Sequence, residues 1–150
     1  MLGMSRTNSL NPDFVALVKK LDAYLTITDG DEHAFYDQFN KIDSINHVVV
    51  FYENWLPVAC GAIKQMGSTN AWEIKRMFVE ESMRGKGIAS QVINELEKWA
   101  KELNVEKLVL ETGIRQTEAV VLYHKNNYQI IKNFGQYIGV ENSICFEKLL

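Results

Sequence analysis

Two glycines separated by one residue, Gly85-Lys86-Gly87, stand between a strand-like run and a long amphipathic helix. Upstream, residues 72–79 are rich in β-branched and aromatic side chains. Downstream, Ile88, Val92, Leu96, Trp99 and Leu103 recur at steps of three and four residues, which is one apolar face of a helix. The first N–H groups of any helix lack partners inside it. Bare glycine backbone leaves them open here. With the positive end of the helix dipole and with Arg84 and Lys86 alongside, the junction becomes a site for an anion, phosphate above all.

At 150 residues, 47% of them hydrophobic, the chain has material for one domain with a sizeable core. A net charge of −3 argues against nucleic acid as a partner, because proteins that grip its backbone carry basic surfaces. The basic residues at 84–86 are local, as one phosphate group requires. Cys60 and Cys145 lie far apart in apolar, strand-like surroundings, which fits buried reduced thiols and a cytoplasmic setting. No apolar run is long enough for a membrane span, and the N-terminus lacks the apolar core of a signal peptide, so neither membrane nor export is expected.

Asn11-Pro12-Asp13 carries the marks of a helix start: a capping side chain, a proline whose missing N–H costs nothing there, and an acid. Phe14, Leu17, Val18, Leu21 and Leu25 continue on one face. A second helix is expected over about 32–41, with Phe35, Phe39 and Ile42 inward. The period then changes. Residues 47–53 and 57–66 read as a hairpin turning at Asn54, and Gly67-Ser68-Thr69-Asn70 is turn chemistry before the strand at 71–79. After the long helix come a strand at 107–111, a helix at 117–126, and strands at 128–134 and 142–149. A hairpin beside a strand–helix–strand unit predicts one α/β domain over 1–150, with a mixed, mostly antiparallel sheet and helices on both faces.

Three phosphate-binding patterns compete for the loop. A Walker A loop needs Ser or Thr directly after Gly-Lys, and Gly87 stands there instead. A dinucleotide-binding turn is a closer rival, since Gly85-x-Gly87 opens a helix and Glu111 ends the next strand. Its sixth position is Ser90, however, and residues 80–84 intervene where that fold turns almost at once. The third pattern is that of acyl-coenzyme A: Arg or Gln, two residues, Gly, one residue, Gly or Ala. Arg84, Gly87 and Ala89 meet it. The preceding strand ends Met77-Phe78-Val79. Farther on come Leu110-Glu111-Thr112-Gly113, Glu118-Ala119, Leu122-Tyr123-His124-Lys125 and Asn127-Tyr128. On these residues the sequence resembles the GNAT superfamily of acetyl-CoA-dependent N-acyltransferases, over about 47–150, with residues 1–46 as a variable, helical N-terminal part. That family usually has Gly where Asn127 stands, and Asn is the next best residue for a left-handed helix end.

The resemblance implies a GNAT-like fold and acetyl transfer from acetyl-CoA to a primary amine of a small molecule or peptide. By the same resemblance, Arg84, Gly85, Lys86, Gly87, Ile88 and Ala89, with Ser90, cradle the pyrophosphate through backbone N–H groups. Met77, Phe78 and Val79 hold the pantetheine arm as one more strand would, and Phe78 or Val79 N–H faces the oxyanion. Tyr123 stands at the position of the family's general acid; a buried core tyrosine is the competing reading. Glu73 and Glu111 are the candidate bases, each also readable as a substrate anchor or a solvated carboxylate. Lys75 and Arg76 either neutralise such carboxylates or face solvent. His33, His47 and His124 are not spaced with each other or with the cysteines as metal ligands, so no metal is expected. There is no Gly-x-Ser-x-Gly turn, which leaves direct attack in a ternary complex as the simplest mechanism. A non-catalytic acyl-CoA sensor of the same fold is the alternative, and a homodimer is compatible with either.

Overall fold

The computed structural model describes residues 2–29 and 44–150; the helix expected over 32–41, and His33 with it, lies outside the described residues. Seven strands, β1 (Leu2–Thr7), β2 (His47–Glu53), β3 (Leu56–Gln65), β4 (Ala71–Val79), β5 (Lys107–Gly113), β6 (Gln129–Ile131) and β7 (Ser143–Leu149), form one sheet in the order β1-β2-β3-β4-β5-β7-β6. Every pairing is antiparallel except β4 with β5. The described helices are α1 (Pro12–Asp29), α2 (Ile88–Glu102) and α3 (Thr117–Lys125). None of them is long and apolar enough to cross a membrane.

The mixed sheet and two-sided helices are as expected, with two differences. β1 pairs along the edge of β2, so the N-terminal part supplies a strand as well as helix; its residues are mostly exposed and carry no alternating apolar signal. The strand expected over 128–134 is shorter, because Tyr128 leaves the helix into the core and pairing ends at Ile131.

α1 begins as its sequence dictates. Asn11 Oδ1 accepts hydrogen bonds from the N–H of Asp13 at 2.9 Å and of Phe14 at 3.1 Å. Phe14, Leu17, Val18, Leu21 and Leu25 bury against Val48, Val50, Cys60, Ala62 and Phe78 on one face of the sheet. On the other face α2 buries Ile88, Val92, Ile93 and Leu96 against Val49, Ile63, Ile74, Leu108 and Leu110. Burial of each such side chain is worth about 1.5–3 kcal/mol. Leu103, expected on that face, sits at the helix end and is partly exposed.

Both α2 and α3 end the same way. Asn104 and Asn127 take the left-handed conformation at φ 61° and 70°. Val105 N–H then bonds Ala100 O, and Tyr128 N–H bonds Tyr123 O at 2.9 Å. The second closure fixes the backbone of Tyr123 and swings Tyr128 inward against it.

One irregularity positions everything that follows. Between β3 and β4 the register advances from Ala62↔Lys75 to Cys60↔Phe78, so Arg76 and Met77 oppose the single residue Gly61. Arg76 is left-handed at φ 59°. A Cβ on Gly61 would lie 2.4 Å from Met77 Sδ and 3.0 Å from both Val92 and Leu96, so only glycine lets α2 and the bulged strand close together there.

Candidate active site

β4 and β5 pair only from Ala71↔Lys107 to Glu73↔Val109. Past Glu73 the strands part, and the gap opens a cavity of about 430 Å³. Its walls are residues 73–79 of β4, the glycine loop, Glu111 and Thr112 of β5, Tyr123 of α3, Leu21, Tyr24 and Leu25 of α1, and Tyr137.

At one end lies the loop. Gly87 stands at the start of α2 with φ 78° and no side-chain cap, and the first helical bond runs from Gln91 N–H to Gly87 O. The N–H groups of Ile88, Ala89 and Ser90 therefore have no partner in the helix. A Cβ added at Gly85 or Gly87 would meet nothing within 4 Å, so the space above the loop is open. Ser90 Oγ accepts from Asn126 Nδ2 at 3.1 Å, tying α2 to the end of α3. Ile88 points into the core, while Lys86 is exposed and does not line the cavity. Arg84 turns back onto β4: its Nε donates to Val79 O at 3.0 Å, and its guanidinium lies 4.9 Å from the Tyr24 ring. That side chain braces the loop.

Along the middle runs β4. Glu80 N–H donates to Val58 O at 2.8 Å and Phe78 pairs with Cys60, so alternation turns the main chain of Phe78 toward β3 and that of Val79 toward the gap. Met77 and Val79 pack their side chains toward α2, and Phe78 packs toward α1.

Tyr123 forms part of the floor. Its ring packs at 5.8 Å from both Tyr128 and Phe146, and its hydroxyl has no hydrogen-bond partner among the described residues. Burial pushes the phenol well above its ordinary value, with the nearby charge of Glu111 adding to the effect. It therefore keeps its proton at neutral pH.

At the far end two carboxylates approach from neighbouring strands. Glu73, where β4 and β5 begin to part, is largely buried; burial raises its pKa, and Lys75, with Nζ 3.9 Å away, and Lys64 oppose that rise. Glu111 accepts a hydrogen bond from Ser143 Oγ at 2.6 Å. Both charges reach Tyr137 and Cys145: burial, with their help, raises the Tyr137 phenol, and the Cys145 thiol is pushed up to about 11. Cys60, enclosed under β4, is pushed up to about 12 by burial, so neither cysteine is a thiolate at neutral pH. Among the described residues no group of three or more His, Cys, Asp or Glu side chains is arranged to hold a metal.

The cavity thus brings together Glu73, Met77, Phe78, Val79, Arg84, Gly85, Gly87, Ile88, Ala89, Ser90, Glu111 and Tyr123. Sequence reasoning did not single out Tyr24, Thr112 or Tyr137. Arg76 does not face solvent, as one reading had it; its side chain is 3% exposed. The one local hint is a pair of adjacent charged residues, Lys75 and Arg76, which breaks the alternation between Ile74 and Phe78.

The chain is similar to known proteins along nearly its whole length. Over 148 residues, 98% of this chain and 97% of the relative, the sequence is 28% identical to an IAA acetyltransferase of Azospirillum brasilense. It is 32% identical over 107 residues, 68% of this chain and 70% of the relative, to the uncharacterized N-acetyltransferase YsnE of Bacillus subtilis (strain 168). A crystal structure from Klebsiella pneumoniae subsp. pneumoniae MGH 78578, assigned to the acyl-CoA N-acyltransferases, superimposes with a TM-score of 0.83 at 27% identity, covering 100% of this chain and 98% of that one. The acetyltransferase (GNAT) family profile matches residues 14–128, a span that holds both the glycine loop and Tyr123. The chain is an acyltransferase of the GNAT family.

Proposed function

We propose that the protein transfers an acetyl group from acetyl-CoA to a primary amine of a small molecule or peptide, by direct attack in a ternary complex. The observation that carries this reading is one continuous cavity with an anion cradle at one end, two carboxylates at the other and a protonated phenol between them. The residues present fit the co-substrate: three uncapped N–H groups, open space over Gly85 and Gly87, and a buried Thr112 Oγ1 with no partner among the described residues. Bound acetyl-CoA supplies an acetyl thioester, whose carbonyl carbon is the electrophile.

The chain's own part follows from charge and protons. The N–H groups of Ile88, Ala89 and Ser90, with the loop backbone from 84 to 87, hold the pyrophosphate at the positive end of α2. Val79, whose main chain turns to the gap, binds the pantetheine arm and offers a donor toward the carbonyl oxygen. An alkylammonium of pKa about 10.4 must lose a proton before it can attack. Glu73 takes that proton at its carboxylate, directly or through a water. A carboxylate whose pKa is raised by burial is a stronger base than an ordinary one, and the charge of Lys75 favours its ionised form. Glu111, engaged by Ser143, orients the acceptor. Tyr123 Oη delivers a proton to the departing sulfur, which would otherwise leave as a thiolate of parent pKa about 8.5.

The test is a thiol-release assay with acetyl-CoA across polyamines, amino acids, aminoglycosides and peptide N-termini, with calorimetry of acetyl-CoA alone. Amine-dependent release of CoA is expected. Tight binding without release for any amine would make the protein a sensor instead.

A further inference from the structure

Arg76 carries two costs at once. Its side chain is 3% exposed, yet among the described residues only Nη1 is paired, to Asp22 Oδ1 of α1 at 3.1 Å. Nε and Nη2 are buried without a hydrogen-bond partner among the described residues. Enclosed N–H groups of a charged side chain that go unmade are expensive. The backbone is also held at φ 59°, a region a long side chain avoids. Unpaired buried polarity and backbone strain at a single residue bordering a cavity mark a functional group rather than a structural one.

Which ligand it serves follows from which atoms are idle. Nε and Nη2 share one edge of the planar guanidinium, and that edge grips a carboxylate through two parallel hydrogen bonds. Asp22, by taking Nη1, fixes the plane and leaves the bidentate edge unused. The neighbouring walls from α1, Leu21, Tyr24 and Leu25, are apolar and aromatic. On β4 itself Arg76 lies between Glu73 and the strand end at Val79, and it lines the same cavity as Glu73.

We infer that Arg76 binds a carboxylate of the acceptor, so that the amine acetylated here is an amino acid: an amine and a carboxylate on one apolar or aromatic body. This inference rests on the acetyl-transfer reading, within which Glu73 receives the amine's proton while Arg76 anchors the opposite end of the same molecule. Binding the acid also pairs the guanidinium edge that is otherwise left unmade.

The experiment uses matched acceptors: the standard α-amino acids and β-alanine, their amides, the amines lacking the carboxyl group, and O-phosphoethanolamine. Rates are read as kcat/KM. Separately, calorimetry compares 3-phenylpropanoate with 3-phenylpropanamide, which cannot be acetylated. For at least one side chain the wild-type protein is expected to prefer the acid over its amide and its bare amine by about a hundredfold, the size of losing charge-assisted hydrogen bonds in an enclosed site. The carboxylate should bind by calorimetry and the amide should not. Arg76→Lys, which keeps the charge without the fork, and Arg76→Gly, which takes φ 59° without strain, should both collapse this preference while acetyl-CoA affinity stays unchanged. Equal use of acids and amides, preference for O-phosphoethanolamine, or an undiminished preference in either variant would overturn the inference. Should the variants fail to fold, the wild-type comparison of 3-phenylpropanoate with its amide decides alone. Absence of acetyl-CoA binding by the wild-type protein would instead sink the acetyl-transfer reading itself.

Discussion

The two ends of the cavity are built from different materials. At the glycine loop the working groups are main-chain N–H groups that any sequence of the right shape would offer, and the charged side chains beside them look elsewhere: Arg84 to Val79 O, Lys86 to solvent. At the other end the main chain is mostly paired, and Glu73, Arg76, Glu111, Ser143 and Tyr137 converge from β4, β5, β7 and the turn before β7. One end is a conformation and the other is a collection. Backbone changes should therefore injure the first and side-chain changes the second.

Tyr123→Phe should break the comparison most sharply if it is wrong. Removing one hydroxyl leaves the packing against Tyr128 and Phe146 intact, so acetyl-CoA affinity should hold while turnover falls by about 10²–10⁴. The deficit should narrow with an acyl donor whose thiol is more acidic. Wild-type turnover in this variant would mean that Tyr123 only fills space.

Glu73→Gln comes next, with turnover lower by about 10² and the acid limb of the kcat/KM profile removed. In the wild type that limb should lie above the ordinary glutamate value of 4.5, since burial raises Glu73. Stability should move the opposite way. A carboxyl whose folded pKa exceeds its unfolded one favours the folded state at low pH and loses that contribution as pH rises through the folded value. The glutamine variant should therefore match the wild type near pH 4 and melt higher at pH 8. A lower melting temperature at pH 8 would show that the ion pair with Lys75 outweighs the burial.

At the loop, Gly87→Asp puts a side chain and a negative charge where the pyrophosphate approaches, at a left-handed position glycine favours. Acetyl-CoA affinity should drop at least about tenfold, the equivalent of about 1.4 kcal/mol, with the fold retained. Lys86→Ala is the smallest change. An exposed lysine contributes weak, screened attraction, so calorimetry should find affinity within about threefold of wild type and the gap narrowing further in high salt. A large loss from Lys86→Ala would make the cradle a collection too, and the comparison would fail.

This division also decides what the sequence made legible. The loop, α2 and the end of α3 are local: glycines at fixed spacing, a 3.6-residue period, and an asparagine where a left-handed residue was needed, found at φ 70°. Asn11 likewise announced the start of α1 before any tertiary contact was known. The acceptor end is not local. That Glu73 and Glu111 line one cavity depends on β4 and β5 being parallel neighbours, and that Arg76 is buried depends on an extra residue whose only local trace is the adjacent charges of Lys75 and Arg76. β1 was missed because an exposed edge strand needs no alternation; its Arg6 holds it to Glu95 and Glu102 of α2 instead.

The bulge in β4 also fixes the strand's arithmetic. Ile74 packs with α2 and Phe78 with α1, although four residues apart on a regular strand they would share a face. The extra step exchanges the two sides. Deleting any one residue at 75–77 would leave an odd separation, and a regular strand would then keep both residues on their present faces, with Phe78 still opposite Cys60. The strand would lose its bulge and not its parity. β4 thus carries one residue more than its pairing with β3 requires, held where it can be taken out without turning the rest of the strand inside out.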